Sequence, residues 1–548
     1  MENIRLVLVI LLSFIALLLW EEWQRDYSTP APATTAASAE KRPGDVPAPA
    51  AAKPDLPTAG SVPAPVTATA QPAVSEPVVV ETDLFRVEIN PTGAVIQRLE
   101  LKHYPLSLDQ DAALFTLLAN DEQRIMLAQS GLKAANASPD HYAPYTASAQ
   151  RYQLADGQDQ LDVALAWRSP EGVEVIRRFT FKRGSYEIGQ AFQIRNTSSA
   201  EWKAHPYDQL QRLQPQTKRS MTTPTFTGAA FSSPEKKYEK FTFDDLAEEP
   251  IARDATSGWT ALVEHYFVAA IIPAADVSQH YYSTSVGEGR FVVGYYGPEV
   301  AVPPGETRTI AARLYAGPKI QDVLPGVAPG LELTVDYGVL WFIAKGLFWL
   351  LEKIHALFGN WGIAIILLTL SVKLMFFPLS AAGYRSMARM RKVQPRLVAL
   401  KERFGDDRAK MNQAMMDLYK QEKINPLGGC LPILVQIPVF IALYWVLLAS
   451  VEMRNQPWML WVQDLATPDA WFILPALMMA SMWFQYKLNP TPPDPVQAKV
   501  MAVMPFIFGV MFFFFPAGLV LYWLTNNVLS IAQQYYVTKQ IEKAKKPG

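Results

Sequence analysis

Six hydrophobic segments constrain the fold of this chain more than any other feature of its sequence. They cover Ile4–Trp20, Gly362–Leu379, Cys430–Leu448, Trp471–Phe484, Val500–Phe515 and Gly518–Ile531. Several approach the length of about 20 residues that an α-helix needs to cross a bilayer. The first ends at Trp20 without a small-residue cleavage site, which indicates an uncleaved anchor rather than a signal peptide. The sequence therefore predicts a membrane protein with a bundle of six transmembrane helices.

The charges between these segments predict the topology. Residues 380–429 hold eleven Lys and Arg against five Asp and Glu, whereas residues 451–469 carry three acidic residues and one arginine. Because basic loops stay in the cytoplasm, we place 380–429 and both termini inside, and 21–360 and 451–469 outside. The same rule favours a turn at Phe515–Gly518, since a single span there would put two basic stretches on opposite sides.

Composition divides the chain further. We expect an N-terminal anchor (1–22), a Pro/Ala-rich disordered tether (23–79), a β-sandwich outside the cytoplasm (80–335), an interfacial amphipathic helix (337–357), a helical core (360–540) and a basic cytoplasmic tail (541–548). Val173–Phe181 alternates apolar residues with Arg177 as the exception, and repeated short runs of this kind predict the sandwich. Carbohydrate or partner binding by this domain stays open.

Within the core, residues 384–425 predict a cytoplasmic hairpin of two helices that is both basic and rich in methionine. Its candidate binding residues are Met387, Met390, Arg391, Lys392, Met411 and Met415. Basic and flexible apolar side chains suit ribosomal RNA, anionic lipid phosphates and varied hydrophobic peptides. The alternative is a hairpin that packs along its own apolar seam, with charges that only set the topology.

Lys373 is the strongest functional candidate. It lies about 16 Å into its hydrophobic segment, where an ionisable side chain costs about 2.5–3.5 kcal/mol to insert. Thr369 shares its helix face, and Gln436, Tyr522 and Asn526 add polar groups in other segments. Together these residues could line a hydrated chamber inside the membrane. Alternatively, Lys373 snorkels to the cytoplasmic interface, and the amides make ordinary hydrogen bonds between helices.

Other functions lose support from the sequence. The formal net charge is −1 and identifies no partner. The single cysteine, Cys430, can form neither an intrachain disulfide nor a cysteine metal cluster, and the sequence contains no phosphate-binding G-x-x-x-x-G-K-[ST] loop. We therefore expect no cofactor, no bound metal and no enzymatic activity.

Three stretches carry a resemblance to a known family. The first runs from Gly359 through the Lys373 segment to Pro395, the second is Asn425–Pro438, and the third is Phe515–Trp523. On these residues and on the whole layout, the chain resembles the YidC/Oxa/Alb family of membrane protein insertases, in its Gram-negative bacterial form. The resemblance implies a protein of the bacterial inner membrane. Its membrane part would have five core helices around a positively charged groove, and its external domain would be a periplasmic β-supersandwich.

The resemblance also implies the function and its residues. The expected activity is ATP-independent insertion and chaperoning of nascent membrane proteins, with the ribosome, targeting factors, the Sec translocon and anionic lipids as partners. The groove would comprise Lys373, Thr369, Gln436, Tyr522, Trp523 and Asn526, and the substrate helix would slide past Ile437, Pro438 and Phe440. Lys373 stands where most relatives have arginine, and Trp523 replaces the second of two tyrosines. A solute transporter or channel that uses the same polar cavity is the alternative function.

Overall fold

The computed structural model describes residues 76–543 apart from 110–111, 122–123, 136, 216–224, 405–406, 423–430 and 490–494. The predicted anchor at 1–22 and most of the predicted tether at 23–79 lie outside these residues. The Asn425–Cys430 part of the family motif and residues 544–548 lie outside them as well.

Two large sheets form the domain after the tether. Their strands are β1 (Val78–Glu81), β2 (Phe85–Asn90), β3 (Val95–Pro105), β4 (Leu114–Asn120), β5 (Ile125–Ala134), β6 (Thr146–Ala147), β7 (Arg151–Gln153), β8 (Gln160–Arg168), β9 (Val173–Lys182), β10 (Glu187–Asn196), β11 (Trp202–Leu213), β12 (Gly228–Ser232), β13 (Glu239–Phe241), β14 (Ala252–Thr256), β15 (Trp259–Val263), β16 (Phe267–Pro273), β17 (Ser278–Ser285), β18 (Arg290–Tyr296), β19 (Val300–Val302) and β20 (Thr307–Pro318). One sheet has the order β14-β17-β18-β11-β5-β4-β3-β2-β1-β7, with β19 beside β11. The other has the order β13-β12-β15-β16-β20-β10-β9-β8-β6.

Alternating burial along the strands confirms the predicted large β-sandwich. In β9, Val173, Val175, Arg177 and Phe179 are buried, while the intervening side chains face outward. The turn that follows contains Gly184 at φ 68°, and β10 then pairs with β9 in antiparallel register. A period of two residues puts one face of each strand into the core between the sheets.

Helices dominate the chain after the sandwich. The helices of the structure are α1 (Phe243–Glu248) and α2 (Leu324–Val327) in the β domain, followed by α3 (Trp341–Phe358), α4 (Trp361–Met375), α5 (Phe377–Phe404), α6 (Arg408–Gln421), α7 (Leu431–Ala449), α8 (Ile473–Leu488), α9 (Pro495–Met511) and α10 (Ala517–Lys543). The predicted interfacial helix corresponds to α3. Its buried residues are Ala344, Phe348 and Leu351, and its exposed face carries Trp341, Phe342 and Trp349.

The segment predicted as one span at Gly362–Leu379 is two helices, which corrects the sequence interpretation. Helix α4 ends at Met375, and α5 begins at Phe377 with a bend of 68°. Pro378 explains the break, since it has no N–H to donate and its ring would clash with the preceding turn, whereas it fits the first turn of a new helix. By length and apolarity, this bent pair could cross a membrane as a unit, and no single helix of the described chain could.

The loop after α7 fixes the start of α10. Helices α9 and α10 are separate, with the chain turning at Phe515 and Pro516 as the charge pattern predicts. The N–H of Ala517 donates to the carbonyl of Thr467 at 2.7 Å, and the N–H of Gly518 donates to that of Leu465 at 2.9 Å. These bonds satisfy two of the backbone donors that a helix start leaves free.

The same loop ties the β domain to the helices. Arg454 Nη2 donates to the Pro105 carbonyl at 3.3 Å, and the backbone N–H of Gln321 donates to Glu452 Oε1 at 3.3 Å. Burial raises the pKa of the Glu452 carboxyl to about 7. A His265 ring nitrogen also lies 3.0 Å from the Leu448 carbonyl at the end of α7.

Candidate functional site

Residues of five helices line an open cavity of about 290 Å³ with polar and apolar walls, which we call the Lys373 cavity. It is lined by Lys373 from α4, by Ser380, Gly383, Tyr384 and Met387 from α5, by Gln436, Ile437 and Phe440 from α7, by Gln485 from α8, by Asn489 just after it, and by Asn526, Asn527 and Ser530 from α10. Lys373 is the one charged residue among these lining residues. The cavity therefore combines a single positive charge with neutral amides and hydroxyls.

Lys373 is anchored across the helix bundle. Its side chain is only 8% exposed, and its Nζ donates to Ser530 Oγ on α10 at 2.7 Å. Ser530 in turn donates to the carbonyl of Asn526, one turn earlier in α10, at 2.6 Å. The ammonium group thus points toward α10, whereas the snorkelling interpretation requires that it extend along α4 toward the cytoplasmic interface.

Amide side chains join α10 to its neighbours around this charge. Gln436 Nε2 donates to Asn526 Oδ1 at 2.9 Å, which connects α7 with α10. Asn527 Nδ2 donates to Ser481 Oγ on α8 at 2.8 Å. Because buried polar groups need partners, these bonds fix the rotation of α10 and hold its polar face against the cavity.

That polar face of α10 contains residues that the sequence interpretation missed. The sequence interpretation predicts Asn526 but not Asn527, Ser530 and Gln534, although all three follow it within eight residues. Their spacing of three, four and seven residues places them on one side of a helix, so the pattern was available. The sequence alone does not single out Ser530, because a serine within an apolar helix usually bonds to its own backbone.

Three predicted groove residues lie outside the lining of the Lys373 cavity. The Thr369 hydroxyl is buried and donates to the Ile365 carbonyl one turn earlier, at 2.6 Å. The Tyr522 ring packs 5.6 Å from the ring of Phe440. Trp523 lines a second cavity of about 480 Å³ between α8, α9 and α10. The structure therefore brings together Lys373, Gln436 and Asn526 around one cavity, whereas Thr369, Tyr522 and Trp523 do not line it.

The predicted substrate contact face lies beside the cavity. Ile437 lines it and is 36% exposed, whereas Pro438 is half-buried and does not line it. Phe440 lines both cavities, and its ring packs 4.3 Å from that of Trp523. The second cavity is rich in methionine and adjoins the first at Phe440 and at four polar side chains, namely Gln485, Asn489, Asn526 and Asn527.

The hairpin of α5 and α6 packs on itself. Val393, Leu397 and Leu418 form a small core, and the predicted binding residues Met390 and Met415 pack against it. Met387 instead lines the Lys373 cavity, and Met411 is half-buried. The side chains of Arg391 and Lys392 lie outside the described part of the structure. The contacts of Met390 and Met415 fit the interpretation of a hairpin that packs along its own apolar seam.

Comparisons with known proteins cover the whole chain. Residues 77–350 match the family model described as "YidC periplasmic domain", and residues 353–545 match the one described as "60Kd inner membrane protein". A "Membrane protein insertase YidC" from Methylobacillus flagellatus is 48% identical over 553 residues, covering 100% of this chain and 99% of the relative.

A second curated relative agrees with these matches. A "Membrane protein insertase YidC" from Azotobacter vinelandii is 49% identical over 555 residues, covering 99% of both chains. Among solved structures, the chain is similar to an active YidC insertase crystal structure with the first transmembrane domain resolved, at 20% identity and a TM-score of 0.38. That match covers 84% of this chain and 93% of the other.

Proposed function

This chain belongs to the YidC family of membrane protein insertases, and from that premise we propose that the Lys373 cavity receives the polar segment of a nascent membrane protein. The chain is a membrane protein insertase of the bacterial inner membrane with a periplasmic domain. The observation that carries the proposal is the buried ammonium group of Lys373, held by Ser530 beside neutral amides.

The cavity would lower the barrier to insertion by shortening the hydrocarbon that a polar segment crosses. A charged side chain costs about 2.5–3.5 kcal/mol at the centre of a bilayer. Amides and hydroxyls that face a cavity replace part of the lost hydration, and a fixed positive charge favours an acidic segment. This mechanism needs neither covalent chemistry nor ATP.

The apolar helix of the substrate would leave through the side of the cavity at α7. Ile437 combines cavity lining with exposure, and Phe440 borders the methionine-rich second cavity. Methionine side chains adapt to varied apolar surfaces. We assign Ile437 and Phe440 to substrate contact, with Pro438 shaping α7 between them.

The proposed topology has six spans with both termini in the cytoplasm. The bent pair α4–α5, together with α7, α8, α9 and α10, would form the five-helix core, and the anchor at residues 1–22 would be the sixth span. Because no single described helix is long and apolar enough to be a span by itself, the apolar stretches Val435–Ala449 and Ala498–Phe514 would cross together with the residues that flank them. Helix α3 would lie along the outer leaflet, because it exposes aromatic side chains together with Lys345 and Lys353.

We propose that the hairpin meets the ribosome, targeting factors and anionic lipids through its exposed basic residues, while its seam serves stability. Exposed basic side chains include Arg385, Arg389 and Lys420. An exposed methionine, Met416, remains available for nascent chains. The Sec translocon stays a proposed partner without an assigned surface.

Site-specific photo-crosslinking of a stalled nascent chain tests the proposal. A photo-crosslinking residue at Ile437 should trap the substrate helix, and the same residue at Val435 is the matched control. Both positions are similarly exposed, at 36% and 38%, but only Ile437 lines the cavity. Equal crosslinking from the two positions would show that the cavity side of α7 is not the route.

A further inference from the structure

The β domain and the helices meet at the loop that follows α7, and we call the contacts of residues 450–455 of this loop the Glu452 junction. Glu452 Oε1 accepts a hydrogen bond of 3.3 Å from the backbone N–H of Gln321, which follows β20. The Pro105 carbonyl at the end of β3 accepts from Arg454 Nη2 at 3.3 Å and from Asn455 Nδ2 at 3.2 Å. The loop therefore holds the β domain through an arginine, an asparagine and a carboxyl group.

The Glu452 carboxyl has no partner that would compensate a negative charge. Its second oxygen, Oε2, is buried and accepts no hydrogen bond from a described residue. No described lysine, arginine or histidine forms an ion pair with it. An ionised carboxylate in such surroundings is costly, whereas the protonated group is neutral. The geometry therefore favours the protonated carboxyl while the junction is formed.

Two further carboxyl groups face Glu452 from the two sides of the junction. Asp322 follows Gln321 in the β domain, and Glu352 lies on α3. Burial raises the pKa of Glu452 to about 7, although backbone N–H groups lower it. The negative charges of Asp322 and Glu352 raise the pKa of Glu452 further. A hydrogen bond with Asp322 raises the pKa of Glu352 as well, and Lys353 lowers it.

The other titratable groups around the junction keep their charge state from about pH 6 to about pH 7. Burial lowers the pKa of His265 to about 4, so this ring is neutral. Burial lowers the pKa of Lys319 to about 8, and its ammonium group donates to a backbone carbonyl at 3.3 Å. Three tyrosines that face Glu452 stay neutral because burial raises their pKa values, namely Tyr104, Tyr315 and Tyr337. Glu452 is therefore the group at the centre of the junction that gains a charge near pH 7.

We propose that Glu452 is a pH-sensitive switch that sets how firmly the periplasmic domain is attached to the membrane helices. While the carboxyl holds its proton, the loop, the segment after β20 and α3 stay in contact. Release of the proton to water adds a negative charge beside Asp322 and Glu352, and the repulsion weakens the contact. Because Glu452 contacts the periplasmic domain, the pH of the periplasm controls the switch. The switch does not depend on the Lys373 cavity as a substrate site.

The expected size of the effect follows from two pKa values of Glu452. The value is about 7 in the formed junction, and we take the ordinary value of 4.5 for the opened junction. A carboxyl that binds its proton more tightly in the formed junction stabilises that junction at low pH, and this contribution is lost as pH rises through about 7. Between about pH 6 and about pH 8, the equilibrium constant for opening should therefore rise about tenfold.

Hydrogen–deuterium exchange of the full-length protein in nanodiscs tests the switch. The reporter is the peptide that contains Gln321, because the Gln321 N–H donates to Glu452. Its protection factor, which corrects for the intrinsic pH dependence of exchange, should fall about tenfold from about pH 6 to about pH 8. The strand Glu187–Asn196 is the internal reference and should keep its protection.

Three variants identify the titrating group. Glu452→Gln resembles the protonated carboxyl in shape and charge, so its protection factor should be the same at both pH values. Glu332→Gln is the matched control, because Glu332 also has a buried carboxyl oxygen without a described partner but is not among the charges that act on Glu452. This control should keep the change seen in the wild type. Asp322→Asn removes one of the negative charges and should move the midpoint of the change to lower pH.

Three outcomes would overturn the proposal. A wild-type protection factor that does not change between the two pH values would exclude a switch at this junction. The same fall in Glu452→Gln would assign the titration to another group, of which Lys319 is the first to examine. Restored protection at about pH 8 on addition of Ca²⁺, in the wild type but not in Glu452→Gln, would make the carboxyl groups a cation site instead of a proton switch.

Discussion

Replacing Lys373 by glutamate reverses the charge that the Lys373 cavity offers to a substrate. A carboxylate inside a cavity of about 290 Å³ lies within about 8 Å of the ammonium group, where a pair of unit charges is worth about 2 kcal/mol at an effective dielectric constant of about 20. Replacing an attraction of about 2 kcal/mol by a repulsion of the same size changes the interaction energy between the cavity and an acidic segment by about 4 kcal/mol. Water in the cavity screens part of it, so we expect insertion of an acidic segment to slow at least tenfold, since about 1.4 kcal/mol is a factor of ten.

The assay is insertion into vesicles that contain the purified protein, read by protection of the translocated segment from protease. One single-span substrate is made in two versions, with Asp and Glu in its translocated segment or with Asn and Gln instead. Lys373→Arg should insert both versions, because the charge is kept. Lys373→Gln, the neutral control, should slow the acidic version less than Lys373→Glu does.

The substrate dependence separates this mechanism from a structural role for Lys373. A lysine that only stabilises the bundle would, when replaced, slow the acidic and the neutral substrate equally. Equal insertion of both substrates by Lys373→Glu and by the wild type would refute the electrostatic reasoning. Thermal unfolding of each variant in detergent shows whether the bundle survives the substitution.

Three further predictions follow from the structure. Ser530→Ala removes the hydroxyl that accepts a hydrogen bond from the Lys373 ammonium group, and such a bond to a charged group is worth about 1.5–3 kcal/mol. This variant should still assemble, and the ratio of insertion rates of the acidic and the neutral substrate should decrease. Photo-crosslinkers at exposed Met416 should trap short nascent chains better than those at Met415, which packs in the hairpin seam; the reverse order would show that the seam opens. Burial raises the pKa of the Glu452 carboxyl to about 7 in the folded protein. The contribution of this group to the free energy of unfolding is present in full below the pKa that Glu452 has in the unfolded chain, and it should be lost as pH rises through about 7. Unfolding temperatures from about pH 5 to about pH 8 measure it, and Glu452→Gln should remove this pH dependence.

Local patterns in the sequence were sufficient for much of the fold. The alternation from Val173 to Phe181 predicts β9, and the glycine turn predicts its hairpin with β10. The charge balance around Phe515–Gly518 predicts two helices where hydrophobicity alone allows one. These inferences succeed because strand period and loop charge are decided by nearby residues.

The break at Phe376 and the membership of the cavity were harder to predict. The sequence is hydrophobic on both sides of Pro378, so hydrophobicity alone predicts one continuous span. The structure has two helices there, because this proline has no N–H to donate and its ring would clash with the preceding turn. Thr369 and Lys373 share a helix face, yet Thr369 bonds to its own backbone and only Lys373 enters the cavity. Which polar side chains meet depends on the rotation of each helix against its neighbours, and spacing within one helix does not determine that rotation.

The choice of partner for Lys373 supports a role toward substrate. A buried ammonium group that serves only stability is best matched by a carboxylate, which cancels its field, and an unmatched buried charge is costly. Here the partner is the Ser530 hydroxyl, and no acidic side chain is among the described residues that line the cavity. A hydroxyl satisfies the geometry of the ammonium group but leaves its charge in place. On our proposal, the protein accepts the cost of this uncompensated charge because an acidic segment of a substrate would supply the missing carboxylate.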